Sequence, residues 1–389
     1  MVGAEQPARE APNTRLASLD ALRGVAALAV VLFHVCIPLR VIAAPNGYLA
    51  VDYFFLLSGY VLARAYDGRL RRGGAAAWFI RVRLERLYPL ALLGVLMGVG
   101  GAAIRYAPWL QGTGAVEFAT TAVANLLMLP LGRLSYAQDH PLFAFNAPVW
   151  SLFWELAVNA LYGAVALLLD APLLAVLIMV AGLAVVAVSL DHGSLQAGAE
   201  AASFAAGAAR VGYSFFCGVA LQRLAKPRHS DRRRLGPTLA AGLLALLLWS
   251  PMLIDSRFFD PVMVLFAFPA VLVLAVQGEP AGATRRLSLF VGDVSYPLYV
   301  THFPIMQLFL YFVGPRKPVG APLALLIAVE LATIMAAAVL VLWLYDRPVR
   351  AWLRRSRGGA RPEIRDSVRG SRSPRTPTRN PPGRPMPFG

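Results

Sequence analysis

Eleven positions separate Arg23 from His34 within the apolar stretch LDALRGVAALAVVLFHV. On a helix turning about 100° per residue the two side chains fall within about 20° of one face, with a rise of roughly 16 Å between them. An ionisable side chain at the centre of a bilayer costs at least about 2.5–3.5 kcal/mol, so those that persist in apolar segments are candidates for chemistry. An imidazole exchanges a proton near neutral pH, and a guanidinium fork binds phosphate or carboxylate. Asp20, Arg23, Ala27, Val31 and His34 share the stripe. A charged end and a titratable group deep inside suit a channel for a long ligand. The alternative is an arginine snorkelling to headgroups and a histidine bonded to a neighbouring helix.

Four more segments carry polar groups in patterns. In VWSLFWELAVNALYG, Ser151, Glu155 and Asn159 recur every four residues and Tyr162 follows, a single polar stripe facing the interior of a bundle. Interhelical hydrogen bonding accounts for the serine and asparagine more readily than for the carboxylate. In YLAVDYFFLLSGYVLARAY, Asp52 lies near one end and Ser58 and Gly59 deeper. Asp52 is placed to orient an imidazole, to bind an acceptor hydroxyl, or to pair with a basic residue. In FIRVRLERLYP, Arg83 and Arg86 lie three apart on one face, with Arg81 nearby. Such clustered forks suit a pyrophosphate, or serve as a topology signal drawn to anionic lipid. In GDVSYPLYVTHFPI, Ser295, Tyr299 and His302 share a face that Pro297 and Pro304 bend. His302 is either part of a site or a packing residue satisfied by its surroundings. Cys36 and Cys217, each inside an apolar stretch, build neither a disulfide framework nor a metal site.

The elements that must hold these groups are membrane helices. Of 389 residues 58% are hydrophobic and only 15% charged, against about a quarter charged in soluble domains. The net charge of +16 sits between apolar runs and in the C-terminal segment. No aromatic-and-basic surface domain accompanies it, which argues against a nucleic-acid partner. The apolar runs predict an all-α polytopic membrane protein, a bundle of about ten transmembrane helices. The spans read 18–37, 48–66, 87–106, 148–169, 172–190, 203–222, 236–254, 259–277, 290–313 and 321–345. The basic segments at Asp67–Arg86, Arg223–Arg234, Arg285–Arg286 and from Arg350 onward are expected on the cytoplasmic side, which places both termini there. Segment 118–131 is too short to cross and is expected to be re-entrant. Three regions follow: a cytoplasmic arm at 1–17, a transmembrane domain at 18–347 and a basic Arg/Pro/Ser-rich tail at 348–389, expected to be disordered.

Taken together, LDALRGVAALAVVLFHV, VDYFFLLSGY, RVRLERLYP, VWSLFWEL and SYPLYVTHFP resemble, in order, the acyltransferase 3 family of membrane O-acyltransferases. The resemblance implies ten helices in the plasma (inner) membrane, acyl-CoA as donor and co-substrate, no metal, and a polysaccharide or lipid-linked sugar as acceptor. The family's Arg-then-His of the first helix falls on Arg23 and His34, its arginine pair on Arg83 and Arg86, and its Ser-Leu-x-x-Glu motif on Ser151 and Glu155. Where the family often has adjacent arginines, this chain has Val82 before Arg83.

The reading is transfer of an acyl group, acetyl by expectation, to a hydroxyl of a cell-surface glycan. His34 acts as general base, and Glu155 or Asp52 holds its tautomer. Arg83, Arg86 and Arg23 hold the donor's phosphates, and Ser151, Asn159, Tyr299 and His302 line the substrate path. A transporter or flippase moving an acidic solute past Arg23 and His34, or a scaffold without turnover, is the alternative. The lack of an internal repeat speaks against an inverted-repeat transporter.

Overall fold

The computed structural model describes residues 15–132, 134, 141–225, 235–314 and 318–358. Among them the chain is all-helical. The helices are α1 (Ala17–Cys36), α2 (Ala50–Leu70), α3 (Ala76–Arg105), α4 (Thr113–Leu126), α5 (Val149–Val165), α6 (Ala171–His192), α7 (Ala206–Leu224), α8 (Leu235–Trp249), α9 (Ser256–Ala275), α10 (Gly282–Val313) and α11 (Ala321–Arg355). A helix occupies each of the ten expected spans. Five of them, α1, α3, α6, α9 and α11, are long and apolar enough to cross a bilayer by length and composition. α5 and α8 are apolar but shorter, and α2 and α7 carry ionisable residues along their length.

Helix ends depart from expectation where charge is tolerated. α3 starts at Ala76 and α10 at Gly282, well ahead of the apolar stretches that marked them. Arginine is a good helix former, so the helix runs on past the apolar boundary. α11 passes through a widened π turn at Leu342–Asp346 and continues to Gly358, helped by an Asp346–Arg350 ion pair at 2.7 Å. Arg350 therefore belongs to the helical body, not to a disordered tail. Residues 359–389 lie outside the described residues, as do most of the N-terminal arm and the basic segment 226–234.

Side-chain contacts set the relative directions of five helices. Asp52, Gly59 and Asp67 of α2 meet Arg210, Phe215 and Arg223 of α7, so these two run parallel. α1 and α10 also run parallel, from Asp20 beside Gly292 to His34 beside His302. α11 runs against α10, because Arg347 reaches back to Asp293. The bundle thus has two ends. One gathers the starts of α1 and α3 with the finishes of α2 and α11, and is basic. The other gathers Asn46, Tyr48, Leu195 and Asp260.

α4 begins five residues before the expected short segment and ends five earlier. It descends beside α3 until the Leu126 carbonyl accepts from the Tyr88 hydroxyl at 3.0 Å. From there to the end of α3 at Arg105 is about 25 Å of helix rise. The chain then turns back through Met128, held at φ 57°. Asn125 ties the return, donating to the carbonyls of Leu131 and Leu142.

Candidate active site

At the basic end a cavity of about 420 Å³ opens between α1, α2, α3, α5, α10 and the end of α11. Arg15, Arg23, Arg64, Arg83, Arg86 and Arg350 line it, against the carboxylates of Asp20, Glu155 and Asp293. The walls hold an excess of three positive charges. Asp20 is buried and accepts from Arg15 and, at 3.0 Å, from Arg23, which keeps the Arg23 fork in the wall. Asp293 accepts from Arg15 at 2.7 Å and from Arg347 at 3.2 Å. Arg83 is buried and donates to Glu155 at 2.8 Å, while its Nε has no partner. Arg64 and Arg86 make no hydrogen bond among the described residues. Guanidinium groups held at low dielectric in excess of their carboxylates favour an anionic ligand, and their forks fit phosphate oxygens.

Away from the charged mouth the cavity narrows to Phe54, Ser151 and Tyr299. The Tyr299 hydroxyl lies 2.7 Å from Ser151 Oγ, and both reach the Pro148 carbonyl. The ring of Tyr299 stands 5.9 Å from that of His302, one turn on along α10, and His302 stands 5.1 Å from His34. His34 is half-buried and lines neither this cavity nor the one described next. The cavity stops short of His34, and the rings of Phe54 and Tyr299 in its lining pack edge to face at 5.7 Å. Past the histidines Phe303 packs against both imidazoles, at 5.9 and 6.4 Å. It also lines a second cavity of about 550 Å³ at the opposite end, with Arg105, Tyr106, Glu200 and Gln307.

The His34 tautomer is set by backbone. Its Nδ1 lies 2.9 Å from the Val30 carbonyl, which only accepts, so Nδ1 carries the proton and Nε2 the lone pair. Neither carboxylate expected in that role serves it. Glu155 accepts from Arg83 and from Ser58 Oγ, at 2.8 and 2.9 Å. Asp52 is fully buried and accepts from Nε and Nη2 of Arg210, at 3.1 and 2.6 Å. Arg210 is itself buried, donates to the Ala197 and Tyr48 carbonyls and stacks over Trp150. Of the three roles open to Asp52, the ion pair is the one found.

The structure thus brings Arg23, Arg83, Arg86, Glu155, Ser151 and Tyr299 into one cavity and sets His34 and His302 behind it. Asn159 is buried outside the lining, and neither end of its amide finds a partner among the described residues. Arg15, Arg64, Tyr296 and Arg350 line the cavity without having been singled out in the sequence. Tyr296, three residues before Tyr299 on the same face, was legible from spacing. Arg15 and Arg350 lie outside the apolar runs, and only the helix ends folding over the mouth recruit them.

The acyltransferase 3 model, described as an acyltransferase domain, matches residues 16–345. The chain is 37% identical over 162 residues to the protein named protein 2 in the picA locus of Rhizobium radiobacter, covering 39% of this chain and 83% of that protein. It is 28% identical over 162 residues to a Komagataeibacter xylinus protein that carries the provisional name membrane-bound transacylase BcsY. That match covers 41% of this chain and 39% of the relative. No solved structure matches the chain. A family match over nearly the whole helical body shows that the chain belongs to the acyltransferase 3 family and is a multi-pass membrane acyltransferase.

Proposed function

We propose that the protein takes an acyl group, acetyl by expectation, from acyl-CoA and delivers it to a hydroxyl of a cell-surface glycan or lipid-linked sugar. The observation that carries this reading is the basic cavity, with its excess of guanidinium groups at one end and the imidazoles behind its other end. Arg23, Arg83 and Arg86 hold the donor's phosphates, and Glu155 keeps Arg83 in the wall. The narrow pantetheine arm runs inward past Ser151 and Tyr299. The acceptor enters from the second cavity, whose guanidinium, carboxylate, amide and aromatic groups suit a polyhydroxylated sugar.

In the reaction His34 Nε2 removes the proton from the acceptor hydroxyl as the oxygen bonds to the thioester carbonyl carbon. The tetrahedral intermediate collapses, the carbon–sulfur bond breaks, and the leaving thiolate takes the proton back from His34. The products are the ester and coenzyme A. A positioned base of this kind is worth about 10²–10⁴-fold.

In the membrane we place ten crossings, α4 re-entrant and both termini on the cytoplasmic side of the plasma membrane. The alternating helix directions and the basic end support this placement. Reporter fusions after Arg72 and Arg357 are expected to read cytoplasmic, and a fusion near Gln138 external. An external reading at Arg357 overturns the ten-crossing count. For the chemistry, purified protein is incubated with acetyl-CoA and thiol release is followed, while the glycans of a deletion strain are searched for a lost ester. No thiol release and no lost ester overturn the reading.

A further inference from the structure

We propose that His302 shares the proton His34 takes up, so that the two imidazoles act as one base holding a single proton between them; this rests on the acyl-transfer reading above. His302 is 0% exposed. Its Nδ1 lies 2.7 Å from the Tyr299 carbonyl and 3.2 Å from that of Leu298, so Nδ1 carries the proton. The Nε2 lone pair is left buried with no partner among the described residues. A buried unpaired acceptor is costly, and one found in a native interior calls for an explanation. His34 is arranged the same way, with its proton on Nδ1 and its lone pair on Nε2.

Two lone pairs cannot bond to each other, and no hydrogen bond joins the rings at rest. Their centroids are nevertheless 5.1 Å apart. Two imidazoles joined nitrogen to nitrogen by a hydrogen bond of about 2.9 Å have centroids about 5 Å apart. At this separation a second proton on one ring is what would let the two imidazoles join through nitrogen. When His34 takes the acceptor's proton, its Nε2–H has one neutral acceptor at hand. The charge is then spread over two rings rather than left on one in an apolar setting. Collapse of the intermediate returns the proton to the thiolate and restores the resting pair, so atoms and charge balance over the cycle.

Among the described residues no other titratable group on the packed elements hydrogen-bonds to either imidazole. On α10, the Tyr299 hydroxyl is bonded to Ser151 of α5. Glu155 of α5 pairs with Arg83 of α3. On α1, Cys36 is a free buried thiol. On α11, Glu330 is fully buried and neither of its oxygens finds a partner among the described residues. His302 thus acts as a positioning residue through His34.

The test follows thiol release from acetyl-CoA against pH for wild type, His302→Leu and His302→Gln, with donor binding as the check on folding. Losing the partner lowers the proton affinity of His34, so the acid limb should move down by about one pH unit in His302→Leu. The plateau should fall about ten-fold or more. The amide oxygen of His302→Gln accepts from Nε2–H and should recover part of both. An unmoved acid limb in a donor-binding His302→Leu protein, or no difference between the two variants, overturns the sharing. Normal turnover in His34→Gln overturns the base assignment itself, and with it this inference.

Discussion

Two helix pairs run parallel through the bundle, α2 with α7 and α1 with α10, and glycines close both. A Cβ on Gly59 would sit 2.0 Å from the Phe215 carbonyl oxygen, and one on Gly218 2.2 Å from that of Leu56. In the other seam a Cβ on Gly24 would meet Val291 Cγ2 at 2.6 Å, and one on Gly292 would meet Asp20. The pairs treat charge in opposite ways. Between α2 and α7, Asp52 is matched by Arg210 and Asp67 by Arg223, with Tyr162 completing the second group. Between α1 and α10 the lone pair of His302 is unmet, and the arginines lining the adjoining cavity outnumber its carboxylates. Where every buried charge has its counter-charge inside the protein, nothing is left to bind. Where the protein leaves the account open, a ligand or a proton completes it.

The sharpest way to break this contrast is His34→Gln, which keeps a hydrogen-bonding side chain but cannot accept the proton. Transfer should fall about 10²–10⁴-fold, with acyl-CoA affinity within two-fold or so of wild type, read by thiol release and donor binding. Near-normal turnover would place the base elsewhere.

In the matched seam, Asp52→Leu or Arg210→Met should lower stability by about 3–5 kcal/mol, because each strands its partner's charge in the interior. Thermal unfolding in detergent reads this. The double variant Asp52→Leu with Arg210→Met should recover most of the loss. A cycle that is additive would mean the pair is not coupled.

In the open cavity, Arg83→Ala and Arg86→Ala should weaken acyl-CoA binding about ten-fold or more while leaving the fold intact. Lysine should rescue only in part, since a point charge does not reproduce the fork. Arg86→Ala should cost less stability than Arg83→Ala, whose removal also strands Glu155. Equal donor affinity in wild type and both alanine variants would leave these arginines as topology signals.

The smallest contrast lies in the glycines. Gly59→Ala should destabilise by about 1–3 kcal/mol, because backbone cannot give way to the new methyl. Gly24→Ala meets Val291 at 2.6 Å from Cγ2 and 2.8 Å from Cβ, a wider gap than the 2.0 Å at Gly59, and should cost less, measured by the same melts. The reverse order would show that the α2–α7 seam is the looser one.

What the sequence determined by itself is whatever depends on one helix at a time. Hydropathy located the helical segments, five of them long and apolar enough to cross a bilayer, because an apolar run of that length has few other ways to satisfy its backbone. Period placed Arg23 with His34, Ser151 with Glu155 and Tyr299 with His302, because helical spacing is local. Only the tertiary structure decided pairing between helices. It matched Asp52 to Arg210, 158 positions away, and Glu155 to Arg83, 72 away, so neither carboxylate serves His34. Nothing in either helix's pattern encodes which neighbour it meets. It brought Arg15 and Arg350 to the cavity mouth from outside the apolar runs, and it set His302 beside His34. A lone histidine among aromatics is ambiguous in sequence, since its meaning depends on whether its second nitrogen finds a partner, and that is a property of the packed bundle.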